Sequence, residues 1–171
     1  MIIDLRSDTV TRPTEAMKEA MMNAPVGDDV FAEDPTVNLL QEKAAALFGM
    51  EAGLYCSSGT QTNQIAINVH TRPGDEVICA DMAHVYYYEG GGIALNSGCS
   101  VALIAGDRGR ITAAQIEACI NPDDVHRPIT KLVCLEDTMN KGGGAIYDIE
   151  EIKRISALCR ERGLMLHCDG A

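Results

Sequence analysis

The chain has 171 residues, enough for one domain or a piece of a larger one. Hydrophobic residues make up 46% and charged residues 23%, ordinary globular proportions that exclude a disordered chain. With 14 Lys and Arg against 25 Asp and Glu, the net charge of −11 excludes a general nucleic-acid or anionic-membrane surface, since both need clustered cations.

Trp is absent and Phe occurs only 2 times, so aliphatic side chains, Ala and Met must fill the core. The 7 cysteines are odd in number and none form a C-x2–4-C pair. That pattern argues against a disulfide framework or a zinc site and for reduced cysteines in a cytoplasmic protein, with no metal expected. The opening "MIIDLRSDTV" lacks the basic and apolar regions of a signal peptide. No stretch approaches the length of a membrane span.

In chain order, residues 1–14 are predicted irregular. Thr14 is placed to cap a short helix with Met17, Ala20 and Met21 on one face. After the loop "APVGDDVFAEDP", Asp34 reads as an N-cap with Pro35 in the first helical turn, and Gly49 as the stop. The run 52–58, "AGLYCSS", then reads as a strand, followed by a helix from about Thr60 to His70. Further strands are predicted at 75–80, 100–105, 130–137 and 164–169, with helices over 112–120 and 148–163 and a short helical start at "HVYYY". Strands alternating with helices predict an α/β fold, a mostly parallel sheet flanked by helices. The continuous apolar strands fit a sheet covered on both faces.

Ligands in such sheets bind beyond the carboxyl ends of the strands. Ser58, Gly59 and Thr60 stand there at a helix start, where free amides, a glycine and two hydroxyls can cup a phosphate. They could equally be helix caps. His84 could stack on a flat ligand or be a surface histidine. Glu136, Asp137, Thr138 and Asn140 end another strand, and Asp169 ends the last. Neither a P-loop nor a dinucleotide glycine pattern is present. Together the groups describe a planar ring with a phosphate tail and a basic ring nitrogen, which is pyridoxal 5'-phosphate.

The stretches "IDLRSDTVTRPT", "APVGDDVFAEDPTVNLLQ", "SGTQTNQ", "GDEVICADMAHVYYYEGGG", "TKLVCLEDTMNKGGG" and "HCDGA" resemble, in order, those of the threonine aldolases. These are pyridoxal-phosphate enzymes with the aspartate-aminotransferase-like (fold type I) large domain. The resemblance implies aldol cleavage of L-threonine or L-allo-threonine to glycine and acetaldehyde. It implies that Ser58, Gly59 and Thr60 hold the cofactor phosphate, that His84 stacks on the ring and Asp169 pairs with its nitrogen. It places Ser7 near the substrate carboxylate and His126 near the substrate hydroxyl, as a candidate for proton transfer beside His84. His126 also reads as a surface-loop residue, and His167 as a packed core histidine. Met139 departs from the resemblance, standing where a histidine is common.

The resemblance further implies that residues 1–171 are an N-terminal arm plus the first part of the cofactor-binding large domain. The rest of that domain, the Schiff-base lysine and the small domain would lie beyond. Activity would then belong to the intact enzyme, a homodimer or homotetramer, with the isolated chain inactive. Two other readings stay open: another fold type I enzyme, a β-eliminating lyase or amino-acid racemase, or a truncated binding module without catalysis.

Overall fold

The longer helices of this protein begin where the sequence offers a side-chain acceptor, whereas the short α-helices at 84–87 and 92–97 start without one. The computed structural model describes residues 3–4 and 7–170 and divides at Tyr55/Cys56 into two compact units. In the first, Ser7 caps a 3-10 turn at Asp8–Val10, accepting from the Thr9 amide. Helix α1 (Glu15–Asn23) starts at Thr14, whose hydroxyl accepts from the Met17 amide. Helix α2 (Pro35–Phe48) starts at Asp34 and stops at Gly49, which takes a left-handed φ of 64° to close the last turn. One Asp34 oxygen accepts from Thr36 and Val37, the other from Gly27 at 3.0 Å. The Val37, Gly27 and Thr36 amides hold its carboxyl below the ordinary value.

The run 52–58 is not a strand. A strand needs a neighbour to complete its ladder, and here the Tyr55 amide donates instead to the Gln41 side chain at 2.9 Å. Leu54 and Tyr55, which suggested a buried strand, are exposed.

The second unit is a parallel four-stranded sheet in the order β2-β1-β3-β4, formed by β1 (Asp75–Ala80), β2 (Ser100–Ile104), β3 (Ile129–Glu136) and β4 (Met165–Asp169). Helix α3 (Gly59–His70) precedes it. Helices α4 (His84–Tyr87) and α5 (Gly92–Ser97) link β1 to β2, α6 (Ala113–Cys119) links β2 to β3, and α7 (Ile149–Arg162) links β3 to β4. The chain steps from β1 one way to β2, then back across β1 to β3 and on to β4. Right-handed crossovers therefore put α4 and α5 on one face and α6 and α7 on the other. The contacts agree, with α3 packed on α5 and α6 on α7. The sequence did not anticipate α5.

Ile67 of α3, Val77, Ile78 and Cys79 of β1, Leu132 and Val133 of β3, and Ile155 of α7 are fully buried and form the centre of the core. Burial pushes the Cys79 thiol up to about 12. Among the described residues no helix is long and apolar enough to cross a membrane.

Candidate active site

The sheet register brings the acidic strand ends together. Glu136 at the end of β3 stands directly beside Asp169 at the end of β4. The chain reverses its direction across the sheet between β1 and β3, and a crevice at such a point is where open α/β sheets bind ligands.

Glu136 is almost fully buried. Its carboxylate accepts from the His84 amide at 2.6 Å and the Asn140 amide at 2.8 Å. It thereby ties the first turn of α4 to the loop after β3. The His84 ring is about one-third exposed, and its Nδ1 lies 3.0 Å from Glu89 Oε1. The Tyr88 ring sits 5.5 Å away, tilted by 36°. Lys141, from the loop after β3, places its Nζ 5.3 Å from the Tyr88 ring centre.

Glu89 is the buried hub. Besides His84, it accepts from Asn63 Nδ2 at 2.8 Å and from Gln64 Nε2 at 2.5 Å. Asn63 also donates to Asp169 Oδ2 at 2.9 Å, and its Oδ1 lies 2.9 Å from His167 Nε2. Burial lowers the His167 pKa below the ordinary imidazole value, with Asp169 opposing the shift. His84, Glu89 and Asp169 bring side-chain atoms within 4.8 Å of one another, a clustering that the sequence did not suggest.

The start of α3 lies at the same end. Ser58 is its N-cap, accepting from the Gln61 amide at 3.1 Å. The amides of Gly59 and Thr60 donate to no acceptor among the described residues. A Cβ built on Gly59 meets nothing within 4 Å. A groove of about 470 Å³ runs from Ser58 and Thr60 along the side of α3, past Ile65 and Asn68 to Asn96 of α5, away from His84 and Asp169. Two free amides and an unobstructed glycine at a helix start fit a phosphate. Asp169, fixed by Asn63, fits the nitrogen of a pyridine ring. The residues present thus fit pyridoxal phosphate.

The structure brings Ser58, Gly59, Thr60, His84 and Asp169 to the carboxyl ends of the strands. Ser7 belongs to the first unit, where its hydroxyl caps a turn. His126 lies elsewhere. Three residues before β3, it sits at the amino end of the sheet, highly exposed, with Nδ1 2.9 Å from Asp124 Oδ1. An eight-residue strand puts it roughly 25 Å from the end that carries Glu136. Within one chain it is not part of the cluster.

Met139 does not face a ligand. It is 1% exposed and belongs to the core. A Cβ on Gly109 would lie 2.6 Å from Met139 Cγ, and one on Gly142 2.1 Å from the Arg108 carbonyl. The loop before α6 and the loop after β3 therefore interlock. Arg108 clamps them, donating to the Gly142 carbonyl at 2.8 Å and the Gly143 carbonyl at 3.2 Å. Tyr147 adds a second tie, its hydroxyl accepting from the Ile111 amide at 2.9 Å.

Sequence reasoning missed Asn63, Gln64 and Glu89. Glu89 carries a faint signal, an acid just before three glycines in "YYYEGGG".

The chain matches the β-eliminating lyase family over residues 4–171. It is 47% identical to the low specificity L-threonine aldolase of Escherichia coli K12, over 99% of this chain and 50% of the relative. With the Saccharomyces cerevisiae low specificity L-threonine aldolase the identity is 44%, over 98% of this chain and 44% of the relative. The chain spans about half the length of the curated relatives it matches. Among solved structures, Leishmania major threonine aldolase superposes with a TM-score of 0.61 at 34% identity, covering 66% of this chain and 32% of that one. The aspartate aminotransferase of Rhizobium meliloti gives 0.65 at 21% identity, over 89% and 38% of the two chains, a likeness of fold alone.

Proposed function

Because the chain belongs to the β-eliminating lyase family, we propose that it carries part of the active site of a pyridoxal-phosphate-dependent aldolase. The enzyme would cleave L-threonine or L-allo-threonine to glycine and acetaldehyde. The observation that carries this reading is the pairing of an open helix start at Gly59 with Asp169, held by Asn63 beside Glu89 and His84. Low specificity L-threonine aldolases among the relatives support the substrate class.

Pyridoxal phosphate, when bound, supplies an electron sink for the pair left at Cα when the Cα–Cβ bond breaks. The residues of this chain hold and orient. The Gly59 and Thr60 amides and the Ser58 and Thr60 hydroxyls would hold the phosphate. Asp169 would keep the ring nitrogen protonated. His84 would cover the ring. When neutral, its Nδ1 proton goes to Glu89, so its Nε2 is the nitrogen available to move a proton at the substrate hydroxyl. Ser7 would lie near the substrate carboxylate. His126 could contribute only from a second copy, which fits a homodimer or homotetramer in the cytoplasm. The Schiff-base lysine would come from beyond residues 1–171.

The test uses the protein that carries these residues, loaded with pyridoxal phosphate and offered both threonine diastereomers. Acetaldehyde is followed by coupled oxidation of NADH. Cleavage of either diastereomer is expected, and D169A should lower kcat/KM by about 100-fold or more, since the ring nitrogen loses its counter-charge. The family match gives β-elimination or racemisation as the second reading. A cofactor-loaded protein that yields 2-oxobutyrate or a D-amino acid, but no acetaldehyde, would overturn the aldolase assignment.

A further inference from the structure

One buried amide lies between three titratable groups of the site, Glu89, Asp169 and His167, and its two ends cannot be exchanged. Asn63 is 4% exposed. Its Nδ2 faces Glu89 Oε1 at 2.8 Å and Asp169 Oδ2 at 2.9 Å, and its Oδ1 faces His167 Nε2 at 2.9 Å. Ionised carboxylate oxygens only accept, so the amide nitrogen must face both of them and use both its hydrogens. The carbonyl is then left for His167, which must carry a proton on Nε2. Turning the amide over would set an oxygen against two carboxylates and break both of those contacts.

We propose that Asn63 is a positioning residue that sets the polarity of the site: its amide nitrogen holds Glu89 and Asp169 side by side as acceptors, and its carbonyl selects the Nε2–H form of His167. Through Glu89 the same tie selects the Nδ1–H form of neutral His84. The chain is explicit. His167 donates to Asn63, Asn63 donates to Asp169 and Glu89, and His84 donates to Glu89. Each group sits on a different element from its partner in the tie, α3 for Asn63, β4 for Asp169 and His167, and the turn after α4 for Glu89. Besides Asn63, the charged or titratable groups acting on His167 are Asp169, Glu89 and His70. Burial outweighs the two acids and lowers the pKa of the ring, which favours the neutral form that donation from Nε2 alone requires.

The inference rests on the cofactor reading only for its consequence, that Asp169 is presented as a fixed acceptor to a ring nitrogen. Its test needs no activity. Imidazole nitrogen NMR on the 15N-labelled chain, without cofactor, reads the tautomers directly. His167 is expected as the neutral Nε2–H form at pH 7, and His84, where neutral, as Nδ1–H. The isosteric N63D replaces the donor by a third acceptor among two carboxylates. The His167 titration midpoint should then rise by about one pH unit or more, as the ring becomes the nearest available cation. Affinity for pyridoxal phosphate should fall about tenfold or more, because the Asn63 donor that orients Asp169 is replaced by a like charge. Imidazole spectra unmoved in a folded N63D chain would show that the His167 ring does not face this amide, and that result would overturn the proposal. A proton on Nδ1 of His167 in the unaltered chain would overturn it equally, and that measurement decides the matter even where N63D does not fold. Failure of the unaltered protein to bind pyridoxal phosphate would sink the cofactor reading while leaving the tautomer result standing.

Discussion

The two units of this chain start their longer helices in the same way and differ in what those helices bury. Thr14 and Asp34 cap α1 and α2 as Ser58, Thr112 and Asp148 cap α3, α6 and α7. Yet no helix of the first unit buries an apolar side chain, while Ile67, Ile78, Leu132 and Ile155 of the second are fully buried. Met22, Phe31 and Phe48 of the first are all more than two-thirds exposed. Capping decides where a helix begins, and burial decides what holds it. The first unit relies on local hydrogen bonds such as those of Asp34, and the second on its core.

The contrast can be broken at its strong end first. Leu132→Ala empties a fully buried position of β3 and should cost about 2–5 kcal/mol in urea unfolding of the second unit. A smaller loss would mean that the core collapses around the gap. Met139→His restores the residue that the aldolase resemblance leads one to expect. It would bury an imidazole between Gly109 and Gly142, so we expect a loss of about 1–3 kcal/mol in the same assay rather than a gain in activity.

At the weaker end the first unit should respond to acid. The Asp34 carboxyl is held below its ordinary value of 3.8 when folded. Its contribution is therefore complete above that value and is lost as pH falls through the lower folded value. Amide exchange at Thr36 and Val37 should be faster in D34A than in the unaltered chain at pH 6, and the difference should disappear in strong acid. Finally, Met22→Ala should change stability by no more than about 0.5 kcal/mol. A larger loss would show that the exposed face of α1 is covered in solution, and would erase the contrast.

The capped helices were legible because a cap is written in adjacent residues: Asp34-Pro35 at one end of α2 and Gly49 at the other. The four strands of the sheet were legible as apolar runs between turns. The run 52–58 looked the same, because a sequence does not show whether a neighbour will complete the ladder. Helix α5 was hidden by glycines on both sides, Gly90 and Gly91 before it and Gly98 after, each with a left-handed φ. At the site, the residues beside a strand end or helix start could be picked out one by one. Their connection could not, because Asn63 meets Glu89 26 residues on and Asp169 106 residues on. Met139, a departure from the resemblance, has a physical reason that the sequence did not show: a long flexible thioether is suited to filling the irregular space under Gly109.

The pairing of β3 with β4, residue against residue from Leu132–Met165 to Glu136–Asp169, has a consequence for how this sequence can vary. Side chains alternate between the faces of a strand, so adding or deleting one residue within 165–169 would turn His167 away from α3 and carry Asp169 out of line with Glu136. Lineages can exchange many of the side chains along these strands, but within β4 they cannot change the count. Gaps in an alignment should therefore gather in exposed connections such as 121–128, at the other end of the sheet, and the spacing from Leu132 to Glu136 and from Met165 to Asp169 should outlast the identity of most residues between them.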